Sequence, residues 1–309
     1  MKRLSSILLS IAMIFTLTTP AFAYDSVPSQ SDSSGVTAYS PEFPDAYLEY
    51  GNPSPASQSS APLNDMPIKT VTVTAFWEEA YVPETGEVLY SRLMNKNEVD
   101  AWRAAGSPTD PVPLASWGAV ESRGELDISL SVFQLANDGS SDYNTNLLAR
   151  GEAYWTKGPS WGAGSTRPSW GRDVIGISWG KGLDAFNREA TAISNTGDDV
   201  DIALYDWDDT EFAAWEFIEQ FGLHVGHIGG ANWAQSIECS TGLGVPTSVY
   251  NQSTDIALTY AHSYSDANID DVTISVGVSK DGPELGLDIS FGSKADEWTI
   301  IAIADGVDL

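Results

Sequence analysis

Apolar residues recur at every second position along much of the chain beyond residue 68. In Glu125 to Leu135, Leu126, Ile128, Leu130 and Val132 share one parity, while Asp127, Ser129 and Ser131 occupy the other. Thr70 to Trp77 repeats the pattern with Val71, Val73, Ala75 and Trp77, and Val200, Ile202 and Leu204 alternate with Asp199, Asp201 and Ala203. Ile256, Leu258 and Tyr260 follow, and His262 continues their parity as a strand-end residue with a hydrogen-bonding role. A period of two marks a strand with one face buried. Val272, Ile274, Val276 and Val278 are mirrored by Leu285, Leu287, Ile289 and Phe291 across the turn Ser279 to Glu284, which predicts a β-hairpin. Trp298 to Ala304 is apolar on both parities and reads as a strand covered on both faces.

One-sided strands joined by short turns predict antiparallel sheets stacked on each other. The expected fold is therefore all-β, a mostly antiparallel two-sheet sandwich with one or two short helices. One helix signal starts at Asn97 as cap, sets Val99 and Trp102 on one side, and stops at Gly106 and Pro108. Glu211 to Phe221 fits two patterns. Phe212, Trp215 and Ile218 have helical spacing, whereas Trp215, Phe217 and Phe221 share a strand parity.

The ends of the pattern set the domain limits. Lys2 and Arg3 precede an apolar run from Ile7 to Leu17, and Ala21-Phe22-Ala23 supplies the small residues of a cleavage site. Residues 1–23 read as a secretory signal peptide with Tyr24 as the mature start, a retained anchor being the alternative. Residues 24–67 are rich in Ser and Pro with only acidic charges, a composition unsuited to a core, and read as a disordered leader. Residues 68–309 remain as a single β-rich domain, and the protein is expected outside the cell. A single cysteine, Cys239, excludes an internal disulfide and reads as a buried inert thiol. The formal net charge of −28 opposes nucleic acid and anionic membranes. No nucleic-acid partner is expected, and no membrane insertion once the signal is removed.

Candidate chemistry concentrates between Gly151 and Leu183. Ala153 and Trp155 lie on one parity and Ile175, Ile177 and Trp179 on another, with Trp161 and Trp170 in the Gly/Pro-rich connection. Indoles exposed there would stack on sugar faces, making Trp161 and Trp170 the candidate ligand-binding residues; folded back, they would be a lid on the sandwich. Gly176-Ile177-Ser178-Trp179-Gly180 matches the nucleophile elbow, with Ser178 as the candidate catalytic residue. That elbow belongs to a parallel sheet, so the competing reading makes Ser178 an ordinary strand residue facing outward. His224 and His227 have the spacing of a helical zinc pair, but Gly222 and Gly226 oppose a helix. Asp206, Asp208, Asp209 and Glu211 could supply calcium ligands or form a solvated turn. No cofactor and no metal is expected from this weighing, calcium being the alternative. Two carboxylates for glycoside cleavage cannot be located by spacing in so acidic a chain.

Tyr154-Trp155-Thr156, the segment Tyr260-Ala261-His262 and the hairpin of 272–291 together resemble small secreted β-rich proteins of Gram-positive bacteria. The resemblance implies location and fold class and carries no catalytic residues. The expected function is that of a secreted extracellular binding or interaction module, with a glycan or another envelope protein as partner. The alternatives are a secreted serine hydrolase using Ser178 and a self-associating structural protein of the envelope. Oligomeric state is left open.

Overall fold

The structure is a computed structural model that describes residues 36–51, 66–82, 87–108, 112–114, 118–135, 143–157, 172–180, 182–218, 220–221, 232–263, 269–279, 282–291 and 297–309. In chain order the elements are β1 (Val36–Tyr39), β2 (Leu48–Tyr50), β3 (Lys69–Val82), β4 (Glu87–Leu93), α1 (Lys96–Ala104), β5 (Val112–Pro113), β6 (Val120–Leu135) and β7 (Tyr143–Lys157). They continue with β8 (Arg172–Trp179), β9 (Asp184–Ser194), β10 (Asp199–Val200), β11 (Ile202–Asp208), β12 (Phe212–Ile218) and β13 (Gln220–Phe221). The last are β14 (Asn232–Pro246), β15 (Ser253–Ser263), β16 (Ile269–Ser279), β17 (Gly282–Phe291) and β18 (Glu297–Asp308).

The alternating segments of the sequence lie in strands, except that Asp199 to Leu204 divides at Asp201 between β10 and β11, which join different sheets, and the strands form two antiparallel sheets packed as a sandwich. The smaller sheet runs β1-β18-β15-β8-β12-β11. The larger runs β10-β9-β14-β7-β6-β3-β2, with β4, β5 and β13 paired at its margins. Between them lies the main core. Val71, Val73, Ala75 and Trp77 of β3 and Leu126, Ile128, Leu130 and Val132 of β6 meet Ile175 and Ile177 of β8, Leu258 and Tyr260 of β15, and Trp298 and Ile300 of β18. Removing such side chains from water is the dominant stabilising term, about 1.5–3 kcal/mol for each fully buried large aliphatic residue. Gly151 sits on the inner face of β7 where a Cβ would run into Leu258 Cδ1 and lie 3.0 Å from Cys239 Sγ, so glycine lets the layers close. Cys239 is a free buried thiol whose burial pushes its pKa up.

Two other layers complete the fold. Helix α1 covers the outer face of β3, where Val99 and Trp102 pack on Phe76 and Met94. The hairpin β16–β17 is a two-stranded sheet of its own and packs on the outer face of the six-stranded sheet. β18 is accordingly covered on both faces, as its apolar run implies.

Three differences from the sequence pattern have local causes. The helix cap is Asn95 and not Asn97: Asn95 Oδ1 accepts from the amides of Asn97 and Glu98, and Glu98 returns a bond to the Asn95 amide, a capping box. Residues 36–39 and 48–50, inside the stretch read as a disordered leader, are strands β1 and β2, paired with β18 and β3. Val36, Ala38 and Leu48 are buried there, so these few apolar residues find partners that local composition does not reveal. Phe212 to Ile218 is a strand, because between β8 and β11 its alternate residues Ala213, Trp215 and Phe217 enter the core. Among the described residues no helix is long and apolar enough to cross a membrane.

Candidate functional site

A polar cluster buried inside the sandwich is built on inward positions of three strands. Asp173 shares the parity of Ile175, Ile177 and Trp179 on β8, His262 that of Leu258 and Tyr260 on β15, and Glu79 that of Ala75 and Trp77 on β3. His262 Nδ1 lies 3.2 Å from both carboxylate oxygens of Asp173, and Nε2 lies 3.1 Å from Glu79 Oε1. Since β3 belongs to one sheet and β8 and β15 to the other, the imidazole bridges the two layers. The Tyr260 hydroxyl donates to Asp173 Oδ2 at 2.5 Å, and the Ser263 amide donates to Oδ1 at 3.1 Å. On the other side Ser91 Oγ donates to Glu79 Oε1 at 3.0 Å and accepts from Trp298 Nε1 at 2.9 Å.

Aromatic rings close the cluster off. Trp298 stands 4.7 Å from His262 by ring centroids, and Trp155 stands 5.6 Å away in an edge arrangement. Exposure is 0% for Asp173, 1% for His262 and 2% for Glu79. The imidazole thus presents one ring nitrogen to each acid, and the arrangement is a buried hydrogen-bonded clamp between the sheets, of the kind that is costly to break from one side because an acceptor is left unpaired. Asp173 and Glu79 escaped the sequence reading. Their signal was an acid on the apolar parity of a strand, where a lone charge would not be tolerated.

Ser178 lies on β8 as an ordinary mid-strand residue between Ile177 and Trp179, paired with Ala257 and Phe212. It is 0% exposed, it points to the face opposite Asp173 and His262, and its Oγ has no hydrogen-bond partner among the described residues. The strand-to-helix turn of an elbow does not follow it: β8 leads to β9. Trp161, Trp170, His224 and His227 lie outside the described residues. In the acidic turn, Asp208 Oδ1 accepts from the Thr210 amide at 2.8 Å and hydroxyl at 2.7 Å, which holds its pKa below the usual carboxylate value. Asp209 pairs with Arg188. Among the described residues no three ligating side chains converge on a metal position.

The surface offers a second feature at the margin of the smaller sheet. β11 is a terminal strand, hydrogen-bonded to β12 alone among the described residues. A bulge between Leu204 and Asp206 changes its register. Leu204 and Trp207 therefore sit beside Trp215 and Ala213, whose side chains are in the core, yet they are 36% and 51% exposed. The apolar interior runs out to solvent along this lip. Asp201, Asp208 and Asp209 stand exposed around it.

The class that fold and sites define is an all-β sandwich with a buried polar clamp between its sheets and an open apolar edge. No family model matches the chain, and no curated protein matches it. Solved structures similar to part of it include the NetB toxin of Clostridium perfringens in its membrane-inserted form, at 8% identity over 63% of this chain and 94% of that one, with a TM-score of 0.26. The delta-toxin of Clostridium perfringens matches at 8% identity over 63% and 88%, with a TM-score of 0.28. A structure from a study of Fap1 fimbriae and Streptococcus parasanguinis adhesion matches at 10% identity over 59% and 80%, with a TM-score of 0.25. At these values the likenesses carry no functional argument.

Proposed function

We propose that this protein is an exported interaction module that takes an extended segment of a partner along β11. Export rests on the signal-like residues 1–23. The docking reading rests on one observation, the exposure of Trp207 and Leu204 on the core-facing side of an edge strand. An edge strand offers unpaired backbone amides and carbonyls, and a side-chain pocket beside them gives specificity. The exposed aspartates of the lip select the partner. A second copy of β11 would set acids against acids, whereas a segment alternating Lys with apolar residues satisfies both backbone and charge.

Titration of such a cationic peptide against intrinsic tryptophan fluorescence tests the reading. Binding that weakens with salt and disappears in Trp207→Ala supports it. Binding of neutral oligosaccharides with no response to the peptide would replace it with the glycan reading. Concentration-dependent self-association abolished by Trp207→Ala would replace it with the self-associating structural one. Silence with every ligand and a monomer at all concentrations would remove it.

A further inference from the structure

We infer that β16–β17 is a membrane-spanning hairpin held in reserve, docked on the six-stranded sheet in the single chain and able to join the hairpins of other copies in a closed transmembrane β-barrel. Among the described residues the hairpin makes no ladder with either large sheet. Among the described residues its polar ties to the rest include the Leu287 amide to Thr259 Oγ1 at 3.1 Å and the Tyr205 hydroxyl to the Ile269 carbonyl at 3.0 Å. Apolar packing holds it as well, with Ile269, Val272, Leu287 and Ile289 on Val174, Phe212, Ala214 and Ala261, and Leu285 on Ala257, Ile301 and Ile303. The sheet beneath is levelled by small residues, and a Cβ at Gly176 would run into Leu287 Cδ1.

Length and pattern both suit a bilayer. The strands have 11 and 10 residues, and a tilted transmembrane strand needs about 9–11. The register sets Val272 opposite Ile289, Ile274 opposite Leu287 and Val276 opposite Leu285. On the other parity Thr273 faces Asp288, Ser275 faces Gly286 and Gly277 faces Glu284. One face would meet lipid and the other, small and polar, a water-filled interior. A lone hairpin leaves two unpaired edges in hydrocarbon, so insertion requires closure by several copies. The acidic charge of the chain opposes anionic bilayers, and neutral lipid is the appropriate target.

The experiment uses the whole protein with neutral phosphatidylcholine–cholesterol vesicles loaded with a self-quenched dye. In a Cys239→Ala background, Val276→Cys carries an environment-sensitive fluorophore, and a separate Gly176→Cys/Leu287→Cys pair locks the hairpin to the sheet when oxidised. Expected are dye release that rises faster than linearly with protein concentration, a blue shift at position 276 on vesicles, and loss of release in the oxidised pair that reduction restores. Should the double variant fail to fold, Val276→Asp takes its place and is expected to abolish release. Absence of release with unchanged emission at 276 overturns the proposal, as does release that persists when the hairpin is locked or carries the aspartate. Binding of a cationic peptide at β11 is independent of all these results.

Discussion

Removing the imidazole of the interlayer clamp is the sharpest test of what holds the sheets together. In His262→Ala, Asp173 keeps the Tyr260 hydroxyl and the Ser263 amide, while Glu79 keeps the Ser91 hydroxyl. Both acids lose the group placed between them at 3.1–3.2 Å, in a site that is at most 2% exposed. Leaving a buried acceptor without its partner costs about 1–3 kcal/mol, and here two acids lose theirs together. Against a total of roughly 5–15 kcal/mol for a domain, that is a large share. Urea unfolding followed by tryptophan fluorescence should show a lower midpoint with an unchanged slope. The decisive comparison is Glu79→Gln/Asp173→Asn/His262→Leu, which removes the acids and the imidazole together and should recover part of the loss. A His262→Ala cost below about 1 kcal/mol, the range of exposed pairs, would refute the reasoning. So would a triple variant no more stable than the single one.

Other consequences follow from particular contacts. Gly151→Ala should destabilise by about 1–3 kcal/mol, the cost of overpacking, and lower the melting temperature, since its Cβ has no room beside Leu258 and Cys239. Asn95→Ala should cost about 1 kcal/mol in urea unfolding by removing the cap of α1. The Glu297 carboxyl is pushed up to about 7 from 4.5, first by burial and then by Glu42 and Asp288. The folded chain thus holds a proton that the unfolded chain releases between these values, so this group's contribution to stability falls as pH rises from 4.5 towards 7 and stays low above. Unfolding midpoints measured across that range should therefore show Glu297→Gln more stable than the native protein above pH 7 and its advantage shrinking at acid pH. An equal effect at all pH values would contradict the assignment.

Alternation was enough to find most of the architecture. Leu126 to Val132, Val71 to Trp77 and the mirrored halves of the hairpin all declare their faces through a period of two, a local consequence of pleated backbone geometry. The double-sided apolar run at Trp298 likewise announced a strand with cover on both sides. Tertiary packing decided what local pattern leaves degenerate. Phe212 to Ile218 has residues for a helix and for a strand, and only the neighbours β8 and β11 select the strand. Val36, Ala38 and Leu48 are isolated apolar residues in a polar stretch, and their burial depends on β18 and β3, which lie far along the chain. The clamp is the extreme case. An acid at 79, an acid at 173 and a histidine at 262 are unrelated in sequence, and each taken alone is an unfavourable residue for an inward position. Stacking two sheets brings them within hydrogen-bond distance and turns three penalties into one tie. The sequence alone thus determined which residues point inward, because parity is local. The tertiary structure alone decided which of them meet, because that depends on the order and stacking of distant strands.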